Sequence, residues 1–219
     1  MDPSRITIEE LPESETKFMV HFFDDAHITT VVTSSGDEAT EWVNEVLSIH
    51  HRSTTTTTTT TTTIIVGLDI EWRPNFGRQY DNPAAVLQLC IGHHCLVFQL
   101  LHCDYIPEAL SGFLSNPNFT FIGVGIGEDV EKLVVDHDLM VANTKDLRVM
   151  AVEETGRGEL RREGLKGLAR EVLGREVAKP RRVQLGRWDN LWLNLDQIMY
   201  ACIDAFLSFE IARRLVVSS

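Results

Sequence analysis

A chain of 219 residues with 43% hydrophobic and 24% charged residues has the composition of an ordinary globular protein with one main domain. It contains no apolar run of the roughly 20 residues that a membrane-spanning helix requires, and its acidic N-terminus lacks the basic region and apolar stretch of a signal peptide. With four cysteines in that context, we expect free thiols and a location in the cytoplasm or nucleus, the cytoplasm being slightly favoured.

The charge of the chain is unevenly distributed. The formal net charge of −12 argues at first against a nucleic-acid partner. However, residues 157–187 hold ten of the twenty Lys and Arg against four Glu, whereas residues 1–50 hold eleven acids against two bases. The basic segment has two open interpretations: a strip that follows a phosphate backbone, or a solvated helix face balanced by its own glutamates.

The first 53 residues predict a β-hairpin and a helix that pack on the core. Residues 17–34 contain two β-rich runs around a turn with two aspartates. Ser35 followed by Glu38 matches a capping box, so we expect a helix that begins at Ser35 and ends near His50. The threonine run at 54–63 predicts an exposed tether, which joins this part to a domain at 64–219.

From residue 64 onward, strand and helix patterns alternate. Strands are predicted at 64–72, 84–92, 94–100, 119–125 and 140–144, and helices at 105–115, 129–137, 146–154, 163–173 and 195–214. The first three strands follow one another closely and the later ones are separated by helices, which indicates an antiparallel meander followed by parallel crossovers. The predicted fold class is therefore α/β, a mixed β-sheet flanked by helices.

The segment IIVGLDIEW, residues 64–72, carries two carboxylates in an otherwise apolar strand. Residues two apart share a face of a strand, so Asp69 and Glu71 lie side by side, with Gly67 on the same face. An unpaired buried carboxylate costs several kcal/mol, and two of them about 7 Å apart raise each other's pKa unless a cation lies between them. This stretch alone leaves open an edge strand whose acidic face is solvated.

The predicted C-terminal helix carries another charge where none is expected. The helix is apolar almost all round and is therefore buried, with Asn194 and Gln197 as its N-terminal cap. Asp204 nevertheless lies in its middle, and Tyr200 lies one turn earlier on the same face. Tyr200 is also explained as a core tyrosine with a satisfied hydroxyl, but Asp204 has no such simple explanation.

A further acid, Asp129, opens the helix after the glycine-rich sequence FIGVGIGEDVEKL. Stabilisation by the helix dipole explains it structurally, and is worth up to about 1 kcal/mol. A dinucleotide-binding motif does not fit, because Glu128 occupies its third glycine position.

Asp69, Glu71, Asp129 and Asp204 together would form one metal site. Carboxylate oxygens suit Mg²⁺ or Mn²⁺, and two such ions roughly 3.5–4 Å apart clamp the attacking and leaving oxygens of a phosphodiester. Zinc bound by the Cys and His of CIGHHCLVFQLLHC, residues 90–103, is the competing possibility. Strand alternation separates those side chains and C-x₂-C pairs are missing, so a core strand explains that segment better.

Three motifs in this order carry a resemblance to a known family. They are GLDIEW (Gly67–Trp72), GVGIGEDVEKL (Gly123–Leu133) and YACIDAF (Tyr200–Phe206), and AAVLQLC, GLKGLAREVLG and RWDNLWLNLDQIMYA agree as well. The chain resembles the DnaQ-like 3′→5′ exonucleases of the DEDDy subgroup over about residues 64–214, most closely the exonuclease domain of the Werner syndrome protein and its small stand-alone plant relatives. The resemblance implies a ribonuclease-H-like fold, which agrees with the predicted order of elements.

The resemblance also implies roles for individual residues. Asp69, Glu71, Asp129 and Asp204 would bind two Mg²⁺ or Mn²⁺ ions, and together with Tyr200 they would be catalytic. Because an unperturbed tyrosine has a pKa near 10, we expect Tyr200 to orient the attacking water rather than to act as a base. The reaction would release nucleoside 5′-monophosphates from the 3′ ends of single-stranded RNA or DNA.

Contacts with the nucleic acid are expected outside the carboxylates. Gly67 would leave room for a nucleotide, and the basic segment would line the approach to the metals. The full set of expected contacts is Gly67, Trp72, Arg181, Arg182, Arg187 and Trp188. Plant relatives that clear cleavage fragments imply in addition a homo-oligomer, a hexamer in that group, and a protein partner such as an RNA-silencing complex.

A second hypothesis comes from a different class of function. The chain would then be a catalytically weak, oligomeric interaction scaffold that retains the exonuclease fold and binds a basic partner through its acidic N-terminal segment. Degradation of labelled oligonucleotides separates the two hypotheses.

Overall fold

The computed structural model describes residues 6–24, 26–54, 64–75 and 81–218. The strands are β1 (Ile6–Glu10), β2 (Lys17–Phe22), β3 (Ala26–Thr33), β4 (Ile64–Glu71), β5 (Val86–Ile91), β6 (His94–Phe98), β7 (Phe119–Gly123) and β8 (Thr144–Asp146). The helices are α1 (Gly36–Thr54), α2 (Glu108–Leu114), α3 (Ile126–His137), α4 (Leu147–Thr155), α5 (Leu165–Leu168), α6 (Arg181–Gln184) and α7 (Leu195–Ser218). A 3₁₀ turn (Gly158–Arg162) and a π-helical turn (Ala169–Leu173) lie on either side of α5.

All eight strands belong to one mixed sheet, in the order β1-β2-β3-β6-β5-β4-β7-β8. β5 is antiparallel to both β4 and β6, whereas β3 is parallel to β6, and β4, β7 and β8 are parallel to one another. The carboxyl ends of β3, β4, β6, β7 and β8 therefore meet at one side of the sheet, which we call the carboxyl edge. The predicted fold class, a mixed sheet flanked by helices, is confirmed.

The N-terminal hairpin is part of this sheet. β2 and β3 pair antiparallel. β3 also pairs with β6, in parallel, from Thr29 opposite His94 to Thr33 opposite Phe98. β1 was not predicted; it is a mostly exposed edge strand whose conformation comes from pairing with β2. α1 extends to Thr54, beyond the predicted end near His50, and the rest of the threonine run lies outside the described residues.

A hydrophobic core covers each face of the sheet. One core contains α4 and α7, and the other contains α1, α2 and α3. Along β4 the alternation assigns Val66, Leu68 and Ile70 to the core beneath α1 and α2, so the residues between them face α7. This alternation determines which face of β4 carries the acids.

The structure corrects two predicted elements and adds a third. The helix predicted at 163–173 is broken into α5 and the π-helical turn, and the turn ends at Gly174 with φ +66°. The strand predicted at 140–144 lies at Thr144–Asp146, and the short helix α6 was not predicted. Within the described ranges, no helix combines the length and apolarity needed to cross a membrane.

Candidate active site

Three carboxylates meet at the carboxyl edge, between β4 and α7. Asp69 and Glu71 from β4 and Asp204 from α7 each place an oxygen within 4.8 Å of the other two. Asp69 and Glu71 are partly buried, and Asp204 is only 2% exposed. The structure therefore brings together three of the four acids that the sequence predicted for one site.

Gly67 allows α7 to lie directly on β4. A Cβ atom at this position would lie 2.0 Å from the carbonyl oxygen of Ala205 and 2.8 Å from the amide nitrogen of Phe209. The space beside Gly67 is thus filled by the backbone of α7, and the prediction that it leaves room for a nucleotide is wrong. Its role is to let Asp204 approach Asp69.

Asp129 approaches from the first turn of α3. The turn before this helix is fixed by Gly125, which has φ +77° and donates its amide hydrogen to Asp146 Oδ2 at 2.9 Å. Asp129 is 8% exposed, and its Oδ2 has no hydrogen-bond partner among the described residues. Asp129 lies outside the group of three, yet its charge raises the pKa of both Asp69 and Glu71.

The four acids are held in an electrostatically unfavourable arrangement. Burial raises the pKa of Asp69, Glu71 and Asp204, and repulsion among the carboxylates raises those of Asp69 and Glu71 further. Burial, followed by the charges of Glu128 and Asp146, raises the pKa of Asp129 to about 7. An oxygen-only donor set that includes an unpartnered buried oxygen suits hard divalent cations such as Mg²⁺ or Mn²⁺.

Lys179 is a site residue that the sequence analysis missed. Its Nζ lies 2.6 Å from Asp204 Oδ2 and 4.9 Å from the centre of the Tyr200 ring. Burial alone would lower the pKa of Lys179, but Asp204, Tyr200 and Asp69 outweigh burial and raise it. The ammonium group in turn lowers the pKa of all three clustered acids. Lys179 belongs to the basic segment at 157–187, but the expected contacts named from that segment are arginines only.

Tyr200 lies one helical turn before Asp204 and is 6% exposed. Burial, followed by the charge of Asp204, raises its pKa above the ordinary value of 10, so the phenol is protonated at neutral pH. Its ring packs against the ring of Trp188, with the centroids 5.9 Å apart. At neutral pH the hydroxyl can therefore donate a hydrogen bond.

Gln88 is a second residue that the sequence analysis missed. It lies opposite Asp69 in the β4–β5 register and is fully buried. When its amide nitrogen faces Asp69, that nitrogen lies 3.2 Å from Asp69 Oδ2 and 3.3 Å from the Asp69 carbonyl oxygen. The available signal was a single polar residue in the apolar strand AAVLQLC.

The predicted nucleic-acid contacts differ in their surroundings. Trp188 is completely buried and donates its indole N–H to the carbonyl of Gln184 at 3.2 Å, so it supports Tyr200 and does not reach a bound strand. Trp72 is partly buried beneath Lys132, whose Nζ lies 5.4 Å from the ring centre. The two corrections, at Trp188 and at Gly67, concern residues that pack inside the protein.

The predicted arginine contacts lie at the surface. Arg181 is exposed, Arg182 pairs with Asp196 at 2.8 Å, and Arg187 pairs with Asp189 at 3.4 Å. In the first half of the basic segment, Arg157 and Arg170 are both paired with Glu171. That half therefore matches the interpretation of a solvated face balanced by glutamates, while Lys179 in the second half contacts Asp204.

The competing zinc site does not form. Cys90 and Cys95 lie opposite each other on β5 and β6, buried in the core under α7. His102 bonds to the carbonyl of Asp189, and Cys103 donates to the carbonyl of Leu100. Across the part of the chain that the structure describes, the acidic group of Asp69, Glu71 and Asp204 is the only metal-ligand cluster found.

Comparison with known proteins agrees with this geometry. A sequence model of the family described as 3′-5′ exonuclease matches residues 31–218. A protein of Arabidopsis thaliana named 3′-5′ exonuclease is 32% identical over 148 residues, which is 67% of this chain and 50% of that protein. The mouse protein named bifunctional 3′-5′ exonuclease/ATP-dependent helicase WRN is 32% identical over 152 residues, 69% of this chain and 11% of that protein.

The fold has counterparts among solved structures. Escherichia coli RNase D, described as an exoribonuclease involved in structured RNA processing, superimposes with a TM-score of 0.66 at 18% identity, over 85% of this chain and 44% of that one. At this identity the likeness concerns the fold. The chain spans about half of the length of the Arabidopsis relative and a much smaller part of the mouse one.

Proposed function

Since the chain belongs to the 3′-5′ exonuclease family, we propose that it is a metal-dependent hydrolase that removes nucleotides one at a time from the 3′ ends of single-stranded RNA or DNA. The observation that carries the proposal is the cluster of Asp69, Glu71 and Asp204, with Asp129 beside it. Four acids in a largely buried site, whose mutual repulsion Lys179 offsets only in part, are costly for the fold. Such a cost is characteristic of a functional site.

The four acids would hold two divalent cations. When bound, these ions supply Lewis-acid stabilisation of the attacking and leaving oxygens of the phosphodiester. The oxygen-only donors of the cluster and the unpartnered Oδ2 of Asp129 fit Mg²⁺ or Mn²⁺. We propose that both ions are required for hydrolysis of the phosphodiester.

The protein's own groups would position the reactants. The protonated hydroxyl of Tyr200, whose ring contacts Trp188 and Lys179, orients the attacking water by a hydrogen bond. Attack of the water oxygen at the last phosphorus forms the new P–O bond, releases one proton of the water to solvent and breaks the bond to the 3′ oxygen of the preceding nucleotide, which takes a proton from solvent. The terminal nucleotide leaves as a nucleoside 5′-monophosphate.

The proposal is tested with 5′-labelled 20-mer RNA and DNA in Mg²⁺, Mn²⁺ or EDTA. We expect ladders that shorten from the 3′ end with either metal, and intact oligonucleotides in EDTA. Asp69→Asn and Asp204→Asn should each lower the rate by more than about 100-fold, because replacing a metal ligand costs more than the 10–100-fold typical of an outer-shell partner.

Glu210→Gln is the matched control for these variants. Glu210 lies on the same helix as Asp204 but is paired with Arg213 at 2.6 Å, so its loss should leave the rate unchanged. Full activity in either aspartate variant would contradict the site assignment. If the wild-type chain degrades neither polymer with any metal, the scaffold hypothesis is favoured instead.

Assembly and location are further proposals. A homo-oligomer, which in the resembling plant group is a hexamer, would be detected by sedimentation velocity of the purified chain. Association with an RNA-silencing complex would be detected by co-purification from cells, and imaging of the tagged chain would show whether the cytoplasm, as expected, or the nucleus contains it.

A further inference from the structure

A firmly anchored loop lies at the carboxyl edge, where it contacts residues that follow β4 and β6. The loop runs from Gly186 to Asn194, immediately before α7. Gln99, which follows β6, donates to the carbonyls of Asn190 and Leu191 at 3.2 and 3.0 Å. His102 bonds to the carbonyl of Asp189 at 3.0 Å, and Gln197 donates to the carbonyl of Arg187 at 3.3 Å. The backbone of this loop is thus fixed at four carbonyls.

The loop presents a large aromatic side chain to solvent. Trp192 is 81% exposed, the highest value among the large hydrophobic side chains that the structure describes. Leu191 and Leu195 beside it are 55% and 43% exposed. Since a tryptophan normally buries 150–250 Å² of surface, an exposed indole on a rigid loop indicates a surface that a ligand covers.

Two arginines, Arg187 in the loop and Arg73 after β4, share the loop residue Asp189. Asp189 Oδ2 lies 3.0 Å from Arg73 Nη1 and 3.4 Å from Arg187 Nη2. Arg73 follows Glu71 by two residues at the end of β4, and its side chain remains 41% exposed. Two guanidinium groups share one carboxylate, so the group of three side chains keeps a net positive charge.

We propose that Trp192, Arg73 and Arg187 form a subsite that holds the single strand upstream of the scissile phosphodiester. A base stacks on the indole of Trp192, and the guanidinium groups contact the phosphates. The proposal rests on the function proposed above, and it extends that function with a binding subsite. Every base has a face that can stack, so the subsite recognises single-stranded nucleic acid with little preference for sequence. Phosphates supply the negative charge that the two arginines match.

Binding without turnover tests the subsite directly. Fluorescence anisotropy of a labelled 12-mer in EDTA gives a dissociation constant for the wild type, Trp192→Ala, Trp192→Phe and Val217→Ala. Stacking of one base on an aromatic ring is worth about 1–3 kcal/mol, so Trp192→Ala should raise Kd by about 5- to 150-fold. Trp192→Phe should recover most of the affinity. Val217, 72% exposed and about 20 Å along α7 from Asp204, is the control and should have no effect.

A substrate series separates stacking from a structural role. A set of 12-mers, each with one abasic position, is titrated against the wild type and Trp192→Ala. At the position that stacks, removal of the base should weaken wild-type binding to the level of Trp192→Ala and leave the variant unaffected. If no abasic position equalises the two proteins, stacking is overturned.

A charge variant tests the arginines. Arg73→Gln should reduce the slope of log Kd against log salt by about 0.7, the value for one phosphate contact on a single strand. Arg213→Gln is its matched control, because Arg213 is also paired with a carboxylate, Glu210, but near the far end of α7. An unchanged slope in Arg73→Gln overturns its phosphate contact.

The subsite and the enzymatic activity fail in different ways. If the wild type degrades oligonucleotides but Trp192→Ala binds them as tightly as the wild type, the subsite is overturned and the proposed function stands. If Trp192→Ala weakens binding as expected but the wild type degrades nothing, the subsite stands and the proposed function fails. In active protein, we expect Trp192→Ala to raise KM and to leave kcat within about twofold, because its contact is lost equally from the ground and transition states.

Discussion

At the scale of one residue, Asp129 illustrates how the site lowers the stability of the fold. Its pKa is raised to about 7 from the ordinary 3.8, so the folded chain holds this proton more tightly than the unfolded chain does. Stability from such a group is fully present below pH 4 and is lost as the pH rises towards 7. In EDTA, the melting temperature of the wild type should therefore fall over this range.

Asp129→Asn removes this titration. In EDTA at pH 8 the wild type carries the buried negative charge of Asp129 and the variant does not, so the variant should have the larger free energy of unfolding. We expect it to melt roughly 5 °C above the wild type, since about 2–4 °C accompanies each kcal/mol in a chain of this size. Its melting temperature should also depend less steeply on pH between 4 and 7. Addition of Mn²⁺ should stabilise the wild type more than the variant, which has lost a ligand. A variant that melts below the wild type in EDTA at pH 8 would contradict this account.

Lys179 acts as an internal counter-charge for the same cluster. Its ammonium lies 2.6 Å from Asp204, and breaking a buried ion pair typically costs about 3–5 kcal/mol. Lys179→Met should therefore lower the melting temperature in EDTA by roughly 5–15 °C. A divalent metal supplies the missing positive charge, so Mn²⁺ should raise the melting temperature more in the variant than in the wild type.

Lys166→Met provides the comparison for Lys179→Met. Lys166 lies on α5 and is exposed, so its replacement should leave both melting temperatures nearly unchanged. Mn²⁺ could instead raise the melting temperature less in Lys179→Met than in the wild type. That result would show that Lys179 helps to hold the metals and does not replace their positive charge.

At the scale of secondary-structure elements, the contact between β4 and α7 aligns the site. Gly67→Ala would place a methyl group 2.0 Å from the Ala205 carbonyl oxygen, and backbone on both sides prevents easy relief. Overpacking of this kind costs about 1–3 kcal/mol and would displace Asp204 from Asp69. We expect a melting temperature lower by several degrees and a fall in kcat of at least about tenfold, measured by calorimetry and by the oligonucleotide assay.

Gly112→Ala is the matched substitution for Gly67→Ala. Gly112 lies in α2, where an added Cβ meets nothing within 4 Å, and alanine is the better helix former by about 1 kcal/mol. This variant should be as stable as the wild type or more so, with unchanged activity. Wild-type kcat in Gly67→Ala would show that α7 tolerates displacement without loss of the site geometry.

The elements that the sequence predicted well are those with a strong local pattern. The alternation in β4 placed Asp69 and Glu71 on one face, and the Asn194–Gln197 cap located the start of α7. Edge strand β1 has a weak pattern, and it exists because β2 offers it a partner. The broken helix after residue 163 contains Gly164 and Gly167, which weaken helical preference in a way that a periodic apolar pattern does not show.

The parts of the site that were missed depend on contacts between distant residues. Lys179 precedes Asp204 by 25 positions, and only the packing of its segment against α7 brings the ammonium to the carboxylate. Gln88 reaches Asp69 through strand register, which a sequence does not specify. Trp188 and Gly67 were predicted to contact the nucleic acid, whereas tertiary packing places both inside the protein.

At the scale of the whole molecule, the N-terminal hairpin and the catalytic part share one sheet and its cores. β3 pairs with β6 over five positions, and the Thr30 hydroxyl on β3 donates to Cys202 Sγ on α7 at 3.1 Å. Trp42 of α1 packs in the same core as Leu68 of β4 and Phe98 of β6. Such a shared interior favours cooperative unfolding of the hairpin, α1 and the catalytic part.

Two native, buried tryptophans report separately on the unfolding of the N-terminal part and of the catalytic part. Trp42 is 2% exposed on the N-terminal side of the threonine run, and Trp188 is 0% exposed on the catalytic side. Incorporation of 5-fluorotryptophan gives each a separate ¹⁹F signal, which single Trp→Phe variants assign. In a urea titration we expect both native signals to disappear with the same midpoint and slope, because unpairing β3 would expose the edge of β6 and open the core around Leu68. A lower midpoint for Trp42 would instead make residues 1–53 an independent unit, joined to the catalytic domain mainly through the threonine run.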